Sequence, residues 1–569
     1  VSTRSLALAI WVGWTGCTVS SPGPDAAVEP DAGCGDVDTR LDQDGDGLAD
    51  GFEGTADSDG DGLSDDRDPD ADGDGIGDAE ESGRRGPCRA LDTDGDGRPD
   101  HLDADSDDDG LSDAEERRTH GTSPYDADSD DDGYTDLAEV LLEDADPLDP
   151  GRGVPEDDFY VVLPYLSPSA LRELAFTTRV RRADVFFLMD RTGSMTAEVE
   201  QLRVGLREVV RRMVEQIPDL GVGVGGFAGF GGPYAPFCDG SGACGSGEGE
   251  ATDVPFNLYG VITTDVDAMQ SMVDALRADL GGAIWASFNE ALFQSATGRG
   301  VLPWVAPQSC PEVPDELGRR FGYPCFRPGA LPILVVMSDS SSRNGPLTTA
   351  ASGGVYDTSA WPMGRAATYG QTVEALVEIG ARVIGIATVE PAEGLTCLPA
   401  IPEPTGAAQF AEYARATGTL DRAGEPIVFG TPCNGEGLGD ALVDAVRTLA
   451  DQTPHDVSTL ARDGEEFPEG TPPLDATRFL RAVRPLRLDE AGRITPCPDP
   501  DRCDATTFRG VPPDARVVFQ VEFVNDFVPP GPTARLYRAT LLVVGDGRAE
   551  LDARDVLVIV PASSTPLLE

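Results

Sequence analysis

The sequence predicts a multidomain chain in three parts: an irregular, acid-rich repeat stalk, a doubly wound α/β domain, and a C-terminal all-β, sandwich-like domain. Three observations carry that prediction. Acidic residues crowd into one stretch near the N-terminus, apolar strands alternate with amphipathic helices through the middle, and period-two patterning replaces helical spacing after residue 455. At 569 residues and 40% hydrophobic content, the chain is long enough for two or three separate cores. A formal charge of -58 argues against nucleic-acid binding, because phosphate contacts need a basic face. Between Asp36 and Asp149 there are 42 acids against 8 arginines, so this stretch alone supplies more than half of the net charge.

The first residues, "VSTRSLALAIWVGWTGC", carry one charge at Arg4, an apolar run from Leu6 to Trp14 and small residues before Cys17. That is the outline of a secretory signal, too short for a spanning helix. Its end, Trp14-Thr15-Gly16-Cys17, resembles the lipobox of bacterial lipoproteins. The resemblance implies a leader over 1–17, lipidation of Cys17 as the membrane anchor and, with Thr18 next, an outer-membrane protein exposed at the cell surface. An ordinary cleaved signal is the alternative. Residues 18–41 are small, proline-bearing and acidic and read as a flexible tether. Setting Cys17 aside leaves ten of the eleven cysteines, an even number consistent with disulfides in an oxidising compartment. Local partners that the spacing suggests are Cys34 with Cys88, Cys238 with Cys244, Cys310 with Cys325, Cys397 with Cys433, and Cys497 with Cys503; the sequence leaves the connectivity open, and a zinc site is the weaker alternative.

Within residues 42–150 a twelve-residue pattern recurs six times, starting at 42, 57, 70, 92, 105 and 128. Each copy has an acid at positions 1, 3, 5, 9 and 12 and glycine at position 6. This is the ligand spacing of a calcium loop, in which odd-numbered oxygens converge on a hard cation and glycine permits the sharp turn. The candidate calcium ligands are Asp42, Asp44, Asp46, Asp50 and Glu53; Asp57, Asp59, Asp61, Asp65 and Asp68; Asp70, Asp72, Asp74, Asp78 and Glu81; Asp92, Asp94, Asp96, Asp100 and Asp103; Asp105, Asp107, Asp109, Asp113 and Glu116; and Asp128, Asp130, Asp132, Asp136 and Glu139. Several Ca2+ ions are therefore expected. The steps of 15, 13, 22, 13 and 23 residues leave no room for flanking EF-hand helices. Their short-and-long alternation resembles thrombospondin type 3 repeats, which implies a chain wrapped around a row of calcium ions. With few apolar residues, such a segment draws much of its folding free energy from the metal.

Residues 151–182 read as a connector holding two strands, "FYVVLPY" and "ELAFTTR". These strands either stand alone or join the C-terminal sheet. From 183 to 452, strands at 183–190, 221–228, 332–339, 382–389 and 426–430 alternate with helices at 195–217, 265–278, 286–297, 371–379, 406–416 and 438–451. Such alternation predicts a mostly parallel sheet covered on both faces, with ligands beyond the carboxyl ends of its strands. At one such end stands Asp190-Arg191-Thr192-Gly193-Ser194, which resembles the Asp-x-Ser/Thr-x-Ser motif of von Willebrand factor A domains. The resemblance implies a metal-ion-dependent adhesion site for one Mg2+ or Mn2+ ion. Thr192 and Ser194 would be direct ligands, Asp190 would act through water or hydroxyl contacts, and Asp339 would be the second aspartate. An acidic side chain of a protein or extracellular-matrix ligand would complete the shell. Where the family commonly has Gly-Gly-Thr, this chain has Gly281-Gly282-Ala283, with Ser287 as a substitute hydroxyl. Capping of the following helix is the plainer role for Asp190, Thr192 and Ser194.

Over 455–569, "VVFQVEFVNDF", "RLYRATLLVVG" and "DVLVIVP" read as strands of a small sandwich. There is no HExxH, GxSxG, P-loop or Rossmann fingerprint, so an enzyme is not expected. The expected function is adhesion or protein binding by a surface lipoprotein, and the alternative is an envelope spacer with no metal-dependent capture.

Overall fold

The computed structural model describes residues 37–562, except 143–144, 154–158, 232–235, 239–243, 247–252, 279–284, 312–318, 349–354, 357–364, 390–404, 465–473 and 532–533. The leader, Cys17 and the first part of the tether lie outside the described residues. Two compact units form, one holding the repeats up to Gly153 and the other spanning Val154–Pro561.

In the repeat unit, regular structure is limited to short turns of helix, among them α1 (Asp50–Glu53), α2 (Asp78–Glu81), α3 (Asp113–Glu115) and α4 (Asp136–Val140). The loops are ordered mainly by their own carboxylates. In each, the position-5 aspartate accepts the amide two residues on, as in Asp46 from Leu48 (2.8 Å), Asp74 from Ile76 (2.6 Å) and Asp109 from Leu111 (2.7 Å). Position 6 has positive φ in all six copies, from 87° at Gly75 to 104° at Gly47, a backbone conformation that a β-carbon would strain. Among the described residues of this unit the buried apolar side chains are few: Leu48, Ile76, Cys88, Leu111 and Leu137 with some alanines.

The second unit opens with β1 (Phe159–Val162) and β2 (Ala170–Thr177). After them come β3 (Arg182–Asp190), α5 (Thr196–Val214), β4 (Asp219–Phe227), a small hairpin of β5 (Pro236–Cys238) and β6 (Cys244–Ser246), β7 (Asn257–Thr263) and α6 (Val266–Ala275). Next are α7 (Phe288–Thr297), β8 (Leu331–Ser338), α8 (Tyr369–Glu378), β9 (Arg382–Val389), α9 (Gly406–Ala416), β10 (Val428–Pro432) and α10 (Leu438–Gln452). These build one six-stranded sheet in the order β10-β9-β8-β3-β4-β7, parallel except for β7 at the edge. The alternation along β3 assigns its faces. Val185, Phe187 and Met189 pack with Leu202 and Leu206 of α5, Val273 of α6 and Leu442 of α10. Phe186 and Leu188 pack with Phe288 of α7, Leu376 of α8 and Phe410 of α9. Helices thus cover both faces, as a doubly wound sheet requires.

Beyond β11 (His455–Asp463) come β12 (Leu480–Glu490), β13 (Arg493–Pro496), β14 (Phe508–Val511), β15 (Arg516–Phe523), β16 (Arg535–Gly545) and β17 (Ala549–Val560). They form two sheets, β1-β17-β16-β11-β14 and β13-β12-β15-β2. Phe176 meets Phe519, and Phe159 meets Phe523, inside a shared core. β1 runs parallel to β17 and β2 antiparallel to β15, so residues 159–177 belong to this sandwich rather than to a separate connector. The doubly wound module is inserted between β2 and β11.

Ion pairs hold the lower, amino-terminal end of the sheet. Arg327 is buried against fully buried Asp184 (2.7 Å) and against Asp219 (2.5 Å), and Asp184 also accepts the Arg327 amide (2.5 Å). Arg327→Ala leaves Asp184 buried and uncompensated, so a loss of about 3–5 kcal/mol in urea unfolding is expected. An Asp184→Leu/Arg327→Met double variant should recover most of it. At the junction with the sandwich, Arg382 at the start of β9 pairs with Asp546, which also takes a hydrogen bond from His455 Nδ1 (2.7 Å). These partners hold the Asp546 carboxyl below its ordinary range despite burial.

Disulfides link Cys310 to Cys325 and Cys497 to Cys503. Cys88 and Cys433 are also disulfide-bonded, but the expected partners Cys34 and Cys397, and the side chains of Cys238 and Cys244, lie outside the described residues.

Candidate functional site

Two oxygen-rich sites stand out. The first lies at the carboxyl ends of the two central strands, where β3 ends in Asp190 and Asp339 follows β8. Asp190 is completely buried, and Asp339 and Thr192 are nearly so. The Thr192 amide donates to Asp190 Oδ1 (2.9 Å), which folds the chain back over the strand end. The Thr192 and Ser194 hydroxyls are 3.1 Å apart, and the Ser194 hydroxyl offsets part of the upward shift of the Asp339 carboxyl. All four expected residues therefore converge. Burial, and then the nearby Asp339 carboxylate, push Asp190 up to about 7; burial also raises Asp339.

Helix capping does not account for this arrangement. Helix α5 begins at Thr196, its cap residue is Met195, and no side chain caps it. The Arg191 side chain stacks on Tyr259 (5.5 Å) and donates to the Arg277 carbonyl (3.2 Å). Gly281, Gly282 and Ala283 lie outside the described residues, and the Ser287 hydroxyl bonds the Tyr356 hydroxyl (2.7 Å).

Three further residues belong to this rim. The Ser338 hydroxyl donates to Asp190 Oδ2 (2.6 Å) and accepts the Ser340 amide (3.1 Å). Buried Glu198 accepts from Thr388 Oγ1 (3.1 Å) and feels the charge of Asp339. Glu198 had a legible signal, an acid next to Val199 on the apolar face of α5; Ser338 and Thr388 had none beyond standing near strand ends.

The second site is the set of loops. Asp42, Asp44 and Asp46 bring one oxygen each within 4.8 Å of one another, as do Asp57, Asp59 and Asp61, and Asp70, Asp72 and Asp74. All six position-12 acids are buried, and where they are glutamates, at Glu53, Glu81, Glu116 and Glu139, both carboxylate oxygens lack a hydrogen-bond partner. Burial, reinforced by neighbouring carboxylates, pushes Glu53 up to about 8, Glu81 to about 10 and Glu116 to about 9. Position 9 has a different local role, accepting the position-2 amide, as in Asp50 from Gln43 (2.9 Å), Asp65 from Ser58 (2.9 Å), Asp100 from Thr93 (2.8 Å) and Asp136 from Ser129 (3.0 Å).

No protein-family model and no curated protein matches the chain. Among solved structures it is similar to a von Willebrand factor type A protein from Catenulispora acidiphila, with a TM-score of 0.28 and 11% identity over 70% of this chain and 71% of that one. It is also similar to the pilus adhesin SpaC from Lactobacillus rhamnosus GG in its open conformation, with a TM-score of 0.26 and 12% identity over 70% of this chain and 45% of that one. A third is proximal thread matrix protein 1 from the mussel byssus, with a TM-score of 0.25 and 12% identity over half of each chain. Among the described residues, no helix is long and apolar enough to cross a membrane.

Proposed function

We propose that the chain is a surface lipoprotein that binds a protein or matrix ligand through a divalent cation on its doubly wound domain, and that the preceding repeats form a calcium-stiffened stalk. The convergence of Asp190, Thr192, Ser194 and Asp339 carries this reading. Two buried acids in mutual repulsion are satisfied by a cation, and an all-oxygen donor set suits Mg2+ or Mn2+. Thr192 and Ser194 would ligate through neutral hydroxyls and Asp339 through its carboxylate, with Asp190 oriented by Ser338. So few formal charges leave the ion able to accept an acidic side chain from a partner. The ion supplies that attraction when bound, and the chain's own residues do no covalent chemistry, so no enzymatic role is assigned. The loops fit calcium for the same reason on a larger scale: buried carboxylate oxygens without protein partners.

The test is capture from envelope and matrix extracts by the full chain in magnesium and in EDTA, with Asp190→Ala beside wild type. Capture should require magnesium and fall at least a hundredfold in the variant. Capture that survives both would favour the spacer reading.

A further inference from the structure

The position-9 aspartates do more than close their own loops. Asp78, in α2 of the third loop, accepts the Ala71 amide with Oδ1 (2.9 Å), leaving Oδ2 buried and without a partner. Loops with serine or threonine at position 2 instead engage the second oxygen, as Ser58 does for Asp65 (3.0 Å) and Thr93 for Asp100 (2.8 Å). The Asp78 carboxylate reaches the first loop: Asp46, Glu53 and Asp78 bring one oxygen each within 4.8 Å of one another. Asp78 is fully buried and Glu53 is 8% exposed, with both Glu53 oxygens unpartnered. No contact within the first loop explains why a third carboxylate is buried against two others at this cost.

We propose that one cation, calcium by its hard oxygen shell, is held jointly by Asp46 and Glu53 of the first loop and Asp78 of the third. The inference rests on the calcium reading above and adds which loops share an ion. A similar cluster lies one step on, where Asp74 and Glu81 of the third loop meet Asp113 of the fifth, although there the Ser106 hydroxyl already engages Asp113 Oδ2 (2.7 Å). Alternate loops are therefore linked in series. Helix α2 carries a ligand for each of two successive sites, Asp78 for one and Glu81 for the next, so filling either site orders the turn that the other needs. Calcium uptake at these sites is expected to be positively cooperative.

The experiment is calcium binding to the full chain by equilibrium dialysis, comparing Asp78→Asn, Glu53→Gln, Glu81→Gln and the two double variants that contain Asp78→Asn. Asparagine keeps the acceptor for the Ala71 amide. Asp78→Asn and Glu53→Gln should each weaken the same ion at least tenfold, and their double variant should lose no more than either alone. Asp78→Asn with Glu81→Gln should lose two ions. The reverse pattern, in which Asp78→Asn adds to Glu53→Gln but not to Glu81→Gln, overturns the proposal. So does additivity in both pairs. A calcium-bound crystal structure of the wild type gives a test independent of any variant: an ion 2.3–2.6 Å from oxygens of Asp46, Glu53 and Asp78 supports the shared site, and an ion there without Asp78 sinks it. Wild-type protein that takes up no calcium would refute the calcium reading as well, whereas calcium binding with the wrong pairing refutes this inference alone.

Discussion

Removing calcium with EGTA at pH 8 is expected to unfold residues 37–153 while the second unit keeps its fold. The repeat unit has few buried apolar side chains but buries Asp72, Asp78, Glu81, Glu116 and Glu139, among other acids. Burial first, and neighbouring carboxylates second, push Asp72 up to about 8, Glu81 to about 10, Glu116 to about 9 and Glu139 to about 7. Each therefore holds its proton more tightly in the folded chain than in the unfolded one, where carboxyls titrate near 4. The metal-free unit is most stable below about pH 4 and loses stability progressively as pH rises from there to about 7 to 10. Calcium reverses this dependence, because ligation needs ionised carboxylates, so its apparent affinity rises with pH. A site filled at a hundred times its dissociation constant contributes about 2.7 kcal/mol, and several such sites exceed what so small an apolar core supplies. Limited proteolysis would show it: cleavage within 37–153 should accelerate at least a hundredfold in EGTA at pH 8, and much less at pH 4.5. Equal cleavage with and without EGTA at pH 8 would refute the calcium-dependent fold.

The second large effect is a pair of opposite changes from Asp190→Asn. Divalent-ion uptake at the sheet rim should disappear, and with it ligand capture, by a hundredfold or more. In EDTA, however, the variant should melt higher than wild type at pH 8. Asp190 is pushed up to about 7 by burial and by the Asp339 carboxylate, so its contribution to metal-free stability is present in acid and lost as pH rises through about 7. Asparagine removes that repulsion. Its oxygen still accepts the Thr192 amide, and its NH2 group can donate to the Ser338 hydroxyl. Thermal melts in EDTA at pH 5.5 and pH 8 should show a pH dependence in wild type that the variant flattens. A variant that melts lower than wild type at pH 8, or that still captures ligand, would contradict this account of the rim.

Local pattern made much of this molecule readable in advance. All six loops and the rim motif depend on short-range spacing, and the helices of the doubly wound module follow the apolar period of their own residues, as Val199, Leu202, Leu206 and Val209 show in α5. What stayed hidden depends on neighbours distant in sequence. β7 is an edge strand with mostly half-buried side chains and so lacks a clear alternation. β12 carries three arginines and Pro485, which sits at a register shift against β15, and it reads as polar loop until a partner strand is beside it. Nothing in "FYVVLPY" discloses that its partner is β17, nearly four hundred residues later. At the rim, Ser338 became legible only when β3 and β8 lay side by side, and the reach of Asp78 into another loop required the repeats to fold on one another.

The insertion between β2 and β11 has a mechanical consequence. A domain on one linker can swivel, and a tug on it passes through one peptide strand. Here the chain enters through β3 and leaves through α10, and the Arg382–Asp546–His455 contact ties the same pole to the sandwich. Load applied at the opposite rim is divided between two covalent tethers and a partly exposed ionic rivet, which resist rotation as well as extension.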